Sequence, residues 1–171
     1  MAPGTGIRRN VVALHVCFSS ILLACAPRPA PGPVVIPPGF TTCAEFTAAP
    51  YVDNYHPGSS FVDNGFTFDD PTSVQFINRI ASVPQLGLQF PKGGLKITFP
   101  AVTTLVLLDM GGFASSGINI QAFNSTGASV TSGLLTADNT IHNVILGGPD
   151  IKTVTFSGGN NEGILMRSCI K

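Results

Sequence analysis

The sequence has no tryptophan, only two glutamates and few charged side chains of either sign. Charged residues make up 11% of the chain, against roughly 25% in a typical soluble protein. The nine basic residues are scattered, which argues against a nucleic-acid binder, because such proteins neutralise phosphates with clustered positive charge. The scarcity of glutamate argues against a coiled coil or helical bundle. The absence of tryptophan counts against a strong, flat polysaccharide-binding surface.

Catalytic motifs are also missing. The sequence contains no HExxH, P-loop, GxGxxG or CxxC pattern, and residues 112–117 are one residue too long for a GxSxG elbow. Most aspartates stand among turn residues, where an aspartate commonly bonds its own backbone. The sequence therefore favours a non-enzyme. A small glycoside hydrolase stays open as an alternative, because that chemistry needs only two carboxylates.

The first part of the chain is typical of an export signal. Arg8 and Arg9 precede a mostly apolar stretch at residues 11–24, which is short for a membrane span of about 20 residues. We therefore predict a signal peptide at residues 1–24; an uncleaved anchor or an internal strand is the alternative. Residues 22–25 (LLAC) resemble a lipobox, which predicts lipidation of Cys25 and a cell-surface or outer-membrane lipoprotein. Cleavage by ordinary signal peptidase at Ala24-Cys25-Ala26 would give a freely secreted protein instead.

Residues 25–40 are predicted to form a tether after the lipid-attachment cysteine. The segment contains six prolines, which disfavour helix and sheet and promote an extended polyproline II conformation. Such a spacer would hold a folded domain away from the membrane, and the lipid would be its sole membrane attachment. The alternative is a proline-rich edge packed on the domain.

Four cysteines give a simple prediction about disulfides. Cys17 lies within the apolar segment and leaves with the signal, and Cys25 is either lipidated or removed. Cys43 and Cys169 remain, an even pair in an oxidising compartment. We expect them to form a disulfide that joins the first and last strands; two free buried thiols are the alternative.

Residues 41–171 are predicted to be one all-β domain. The chain has 19 glycines and 14 prolines, and turn residues separate its apolar stretches. Strand spacing of roughly 8–12 residues predicts an antiparallel β-sandwich of the jelly-roll type. The continuously apolar residues 105–108 indicate a central strand covered on both faces. The predicted strands are 41–48, 60–69, 73–80, 86–90, 94–100, 103–109, 117–123, 128–136, 141–147, 151–157 and 162–170.

The second half resembles exported bacterial β-sandwich domains of the galactose-binding-like and carbohydrate-binding-module-like kind, including those of PEP-CTERM-type secreted proteins. The segments that carry the resemblance are TTCAEFT (41–47), FVDNGFTF (61–68), LKITFPAVTTLVLLDMG (95–111), INIQAFNSTGASV (118–130) and IKTVTFSGGNNEGILMRSCI (151–170). The resemblance implies a β-sandwich, and it implies a structural Ca²⁺ between the first and last strands. Glu45, Asn161 and Glu162 are the expected oxygen ligands, with two exposed strand-end acids as the alternative.

The loop at residues 50–58 is the best candidate for ligand binding. It holds Tyr51, Asp53, Asn54, Tyr55 and His56, a set that combines rings able to stack on a sugar with groups able to bind its hydroxyls. The alternative is that the tyrosines cap the sandwich edge. We therefore predict a non-catalytic cell-surface or secreted binding module, for which a carbohydrate is the expected partner. A structural component of the envelope or extracellular matrix is the alternative.

Overall fold

The computed structural model describes residues 36–48, 50–70, 76–79, 85–113 and 116–171, with only the backbone of 76–79. The predicted signal peptide, Cys25 and tether residues 26–35 lie outside the described residues. Within the described ranges, no helix has the length and apolar character that a membrane crossing requires.

The described residues form ten strands and one short 3₁₀ turn. Every pairing between these strands is antiparallel, which confirms the predicted all-β antiparallel fold. The strands are β1 (Thr42–Glu45), β2 (Ser60–Asp63), β3 (Phe66–Asp69), β4 (Phe76–Arg79), β5 (Leu86–Phe90), β6 (Leu95–Gly112), β7 (Ile118–Asn124), β8 (Ser129–Leu135), β9 (His142–Gly158) and β10 (Gly163–Ile170), with the 3₁₀ turn at Gly159–Asn161.

Two long strands, β6 and β9, run side by side through both layers of the sandwich. Residues 95–98 pair with 153–156, and residues 105–110 pair with 142–147. The register shifts between these two stretches, so each strand bends there. The sequence predicted two separate strands in each case. That was wrong because the intervening proline and glycine residues bend the chain here without reversing it.

The bend divides the hydrogen-bonded strands into two layers. The first layer has the order β2, β3, β6, β9, β7, β8, and the second has the order β4, β5, β10, β6, β9, with β1 beside β10. The core fills the space between them, where the rings of Phe90 from the second layer and Phe156 from the first are 5.3 Å apart. The alternating Leu95, Ile97 and Phe99 all face this core. The sandwich is therefore closed by aromatic contacts across the layers.

The disulfide between Cys43 and Cys169 is present, as predicted. The two residues are directly opposite each other in the β1–β10 pair, so the bridge joins the first strand to the last. It packs with Leu107 and with Phe40, the last residue of the predicted tether. Val106 faces the core on the other side. These contacts confirm that the apolar stretch of β6 is central and covered on both faces.

A tight turn separates β2 from β3, which the sequence treated as one stretch of 60–69. Asn64 and Gly65 both have positive φ, 45° and 82°, as a two-residue hairpin of type I′ requires. The amide of Asn64 donates a hydrogen bond of 2.7 Å to the carbonyl oxygen of Cys43. The hairpin turn thereby holds the first strand in place.

Candidate ligand-binding groove

A row of four polar side chains crosses four neighbouring strands of the second layer. Strand register pairs Glu45 with Arg167, Arg167 with Asp109, and Asp109 with Asn143. Directly opposed residues project from the same side of a sheet. Since the neighbouring Leu108 faces the core, the row lies on the outer side. We call these four residues the polar row.

Asp109 is the centre of the polar row and is only 6% exposed. Its Oδ2 accepts hydrogen bonds from Nε of Arg167, at 2.7 Å, and from Nη2 of the same guanidinium. Its Oδ1 accepts a hydrogen bond from the amide of Asn143. A buried carboxylate is tolerated when it is paired and hydrogen-bonded in this way, so Asp109, Arg167 and Asn143 are held in one arrangement.

A groove of about 360 Å³ opens over the polar row. That volume is within the range of small-ligand sites, roughly 300–1,000 Å³. Besides the polar row, the groove is lined by Thr47, Gln85, Ile141 and Met166. Thr47 donates its hydroxyl hydrogen bond to Oε1 of Glu45. The groove therefore offers carboxylate, guanidinium, amide and hydroxyl groups beside two apolar side chains.

The sequence did not identify the polar row, although it held a signal for it. Asp109 follows the apolar residues 105–108, and Arg167 interrupts the apolar stretch of β10. A charged residue inside an otherwise buried strand is rarely buried without a partner. That the two are partners follows only from the pairing of β6 with β10.

The structure divides the predicted binding loop into a buried part and an exposed part. Tyr51 is 7% exposed, and its ring meets that of Phe46 edge-on at 5.2 Å. A ring buried in this way packs in the core, which favours the alternative reading that Tyr51 caps the sandwich edge. Tyr55 is half-buried, 6.3 Å from Tyr51. Only the remaining three residues of the predicted set lie exposed in the loop: Asp53, Asn54 and His56.

The residues expected to bind calcium are not brought together. Glu45 lies opposite Arg167, whereas Glu162 precedes β10 by one residue, on the order of 15 Å further along that strand. Asn161 accepts a 2.8 Å hydrogen bond from the backbone of Lys92 at its side-chain oxygen. Across the described ranges, no three His, Cys, Asp or Glu side chains form a group suited to a metal ion. Glu45 and Glu162 lie apart because β1 pairs with the far half of β10, and calcium binding stays a prediction.

A second polar cluster lies at the start of β9. Both carboxylate oxygens of Asp138 are 2.9 Å from Nε2 of His142, and one accepts a 2.8 Å hydrogen bond from the Thr140 hydroxyl. The bonds from His142 and then Thr140 lower the pKa of Asp138 below its ordinary 3.8. Thr140 lies 2.7 Å from the same Nε2. A catalytic triad uses the two ring nitrogens for its two partners, so this cluster lacks the geometry of a triad.

A larger concavity of about 540 Å³ lies on the first layer. None of the described residues that line it is charged; they are Asn119, Ile120, Gln121, Ser132, Gly133, Leu134 and Ser157. It lacks the fixed ion pair of the groove on the second layer. We therefore treat the groove over the polar row as the candidate site and this surface as a control.

No protein-family model and no curated protein matches the sequence. Among solved structures, the chain is similar to the family 29 carbohydrate-binding module CBM29-2 in mutant form, at 13% identity and a TM-score of 0.40 over 77% of this chain and 89% of that one. A mutant of the same module in complex with mannohexaose has 13% identity and a TM-score of 0.39 over 70% of this chain and 84% of that one. Similarity at this level does not place the chain in a family.

Proposed function

We propose that the chain is a non-catalytic carbohydrate-binding module whose site is the groove over the polar row. The observation that carries the proposal is the polar row itself, a fixed set of donors and acceptors in a groove of ligand size. Neighbouring strands stand about 4.8 Å apart, so the row presents its groups at intervals comparable with the width of a sugar ring. Sugar hydroxyls both donate and accept hydrogen bonds, which suits a mixed row of this kind.

Two features support binding without catalysis. Both oxygens of Asp109 accept hydrogen bonds from Arg167 and Asn143, so this carboxylate is already occupied as a hydrogen-bond acceptor. Glycoside hydrolysis by paired carboxylates needs one of them to deliver a proton. The four residues of the polar row also stand on strands, which favours a preformed binding surface.

We also propose that the module is exported and held at the cell surface by lipid on Cys25. The disulfide between Cys43 and Cys169 supports export, because such bonds persist in oxidising compartments. The proline-rich segment before the domain supports a tethered arrangement. Mass spectrometry of the membrane fraction tests this proposal: a diacylglycerol on Cys25 is expected, and a soluble chain starting after Ala26 would contradict it.

The binding proposal is tested with the disulfide-bonded chain on a glycan and polysaccharide array, followed by titration calorimetry of the best glycan. Asn143→Ala in the groove is expected to weaken binding about tenfold or more, because a good hydrogen-bond contact contributes on the order of 1–3 kcal/mol. Gln121→Ala in the first layer is the matched control and should bind as the wild type does.

Two other results would redirect the proposal. If Tyr55→Ala lost glycan binding while Asn143→Ala bound as the wild type does, the site would be assigned to the loop at residues 50–58. Absence of binding to every glycan, with and without calcium, would contradict the carbohydrate proposal and favour the structural envelope protein.

A further inference from the structure

Three of the lining residues determine the formal charge of the groove. Glu45 and Asp109 contribute two negative charges and Arg167 contributes one positive charge, so the formal net charge of the described lining residues is negative. The described lining residues include no second cation. An anionic ligand would therefore meet a surface of its own sign.

Arg167, the one cation among the described lining residues, is already engaged. Nε and Nη2 of Arg167 both donate to Oδ2 of Asp109. The same edge of the guanidinium could otherwise donate two hydrogen bonds to a carboxylate or sulfate of a ligand. A ligand that displaced Asp109 would leave a nearly buried carboxylate without its counter-charge, which is strongly unfavourable. Arg167 is thus part of the fixed surface of the groove and a poor receptor for an anion.

Glu45 adds to this discrimination. It stands next to Arg167 in the register of β1 and β10, is half-buried, and one of its oxygens is bonded to Thr47. Its charge is less screened by solvent than that of a fully exposed side chain. A like charge placed against it across the groove would be repelled, whereas a hydroxyl could donate a hydrogen bond to it.

We propose that the groove selects neutral glycans and rejects glycans that carry uronate or sulfate groups. This inference rests on the proposed carbohydrate-binding function and adds the class of sugar. The discrimination comes from the polar row, which has two carboxylates and one guanidinium. Asp109 pairs with Arg167, so the charge of Glu45 is left to repel an anionic ligand.

The first experiment places neutral and acidic polysaccharides on one array: mannan, xylan, galactan and β-glucan beside polygalacturonate, alginate and heparin. The disulfide-bonded chain is expected to bind within the neutral set only. Binding confined to the acidic set, or equally strong in both sets, would overturn the selectivity while leaving carbohydrate binding intact. Absence of binding in both sets would refute the proposed function itself, and the selectivity with it.

The second experiment isolates the charge by comparing the best neutral glycan with its C6-oxidised form, which carries carboxylates on the same backbone. The wild type is expected to bind the oxidised form about tenfold or more weakly, the effect of one like charge at about 6 Å in a medium between protein and water. Glu45→Gln should narrow this gap several-fold, and added salt should narrow it in the wild type.

Glu162→Gln is the matched control for the second experiment. It removes the same charge from the chain, but at the other end of β10 and outside the groove lining. It is expected to keep the wild-type gap between neutral and oxidised glycan. An equal effect of both glutamine variants would assign the discrimination to net charge and contradict a role for the groove.

Discussion

Replacing both disulfide cysteines by alanine tests how much the bridge between the first and last strands contributes to stability. Cys43 and Cys169 are separated by 126 positions. In the chain-entropy treatment, a loop of that length contributes about 5 kcal/mol at 25 °C by restricting the unfolded chain. Domains are commonly stable by only about 5–15 kcal/mol. The double variant is therefore expected to lose a third or more of its free energy of unfolding.

The measurement is urea unfolding followed by far-ultraviolet circular dichroism, since the chain has no tryptophan. Four samples are compared: wild type and the Cys43→Ala, Cys169→Ala variant, each with and without dithiothreitol. Reduced wild type keeps the sulfur atoms that pack against Leu107, so its difference from the variant measures lost packing alone. A loss below about 2 kcal/mol on reduction would refute the loop-entropy reasoning, and any effect of reductant on the variant would reveal another cause.

Three further predictions concern the polar row, the cluster at the start of β9 and a pair of glycines. Arg167→Met should lower the free energy of unfolding in urea by about 3–5 kcal/mol, because it leaves a buried carboxylate without its counter-charge, and adding Asp109→Leu should recover most of that loss. A double variant less stable than Arg167→Met would contradict this. The lowered pKa of Asp138 means that its ionised form stabilises the fold above pH 3.8 and that this contribution disappears as the pH falls through the lower folded-state pKa. Asp138→Asn should therefore melt below wild type at neutral pH and converge with it in strong acid; a constant gap in melting temperature would argue against the linkage. Gly94→Ala should destabilise by more than about 2 kcal/mol, because φ is +113° and a Cβ would lie 2.3 Å from the carbonyl oxygen of Phe156. Gly127→Ala, with φ +83° and open space around it, should cost only about 1 kcal/mol in the same assay.

Much of the fold could be predicted because strand patterning is local. The alternation of Leu95, Ile97 and Phe99 identified the buried side of β6 correctly. The continuity of β6 and β9 through both layers could not be predicted in this way. Glycine and proline interrupt a strand pattern whether the chain bends or reverses, and only the pairing partner on the far side distinguishes the two.

The candidate site was less accessible to sequence reasoning. Asp109 and Arg167 are 58 positions apart, and no local sequence pattern indicates that they are paired. For Tyr51, local sequence suggested more exposure than the structure shows. The polar setting of Tyr51 is typical of a binding loop, but its ring is buried by Phe46 from an earlier segment. Register and burial are properties of the assembled sandwich, so both had to be read from the structure.

The two bent strands also determine how the domain can respond to a ligand. Each of the strands β6 and β9 continues from one layer into the other, and the two are paired with each other in both layers. This shared pair of strands opposes a hinge motion that would separate the layers. Two of the four polar-row residues, Asp109 and Asn143, lie on these paired strands. At these two residues we expect a ligand to meet a preformed surface, where adjustment involves side chains rather than the backbone. Recognition of this kind loses little entropy on binding.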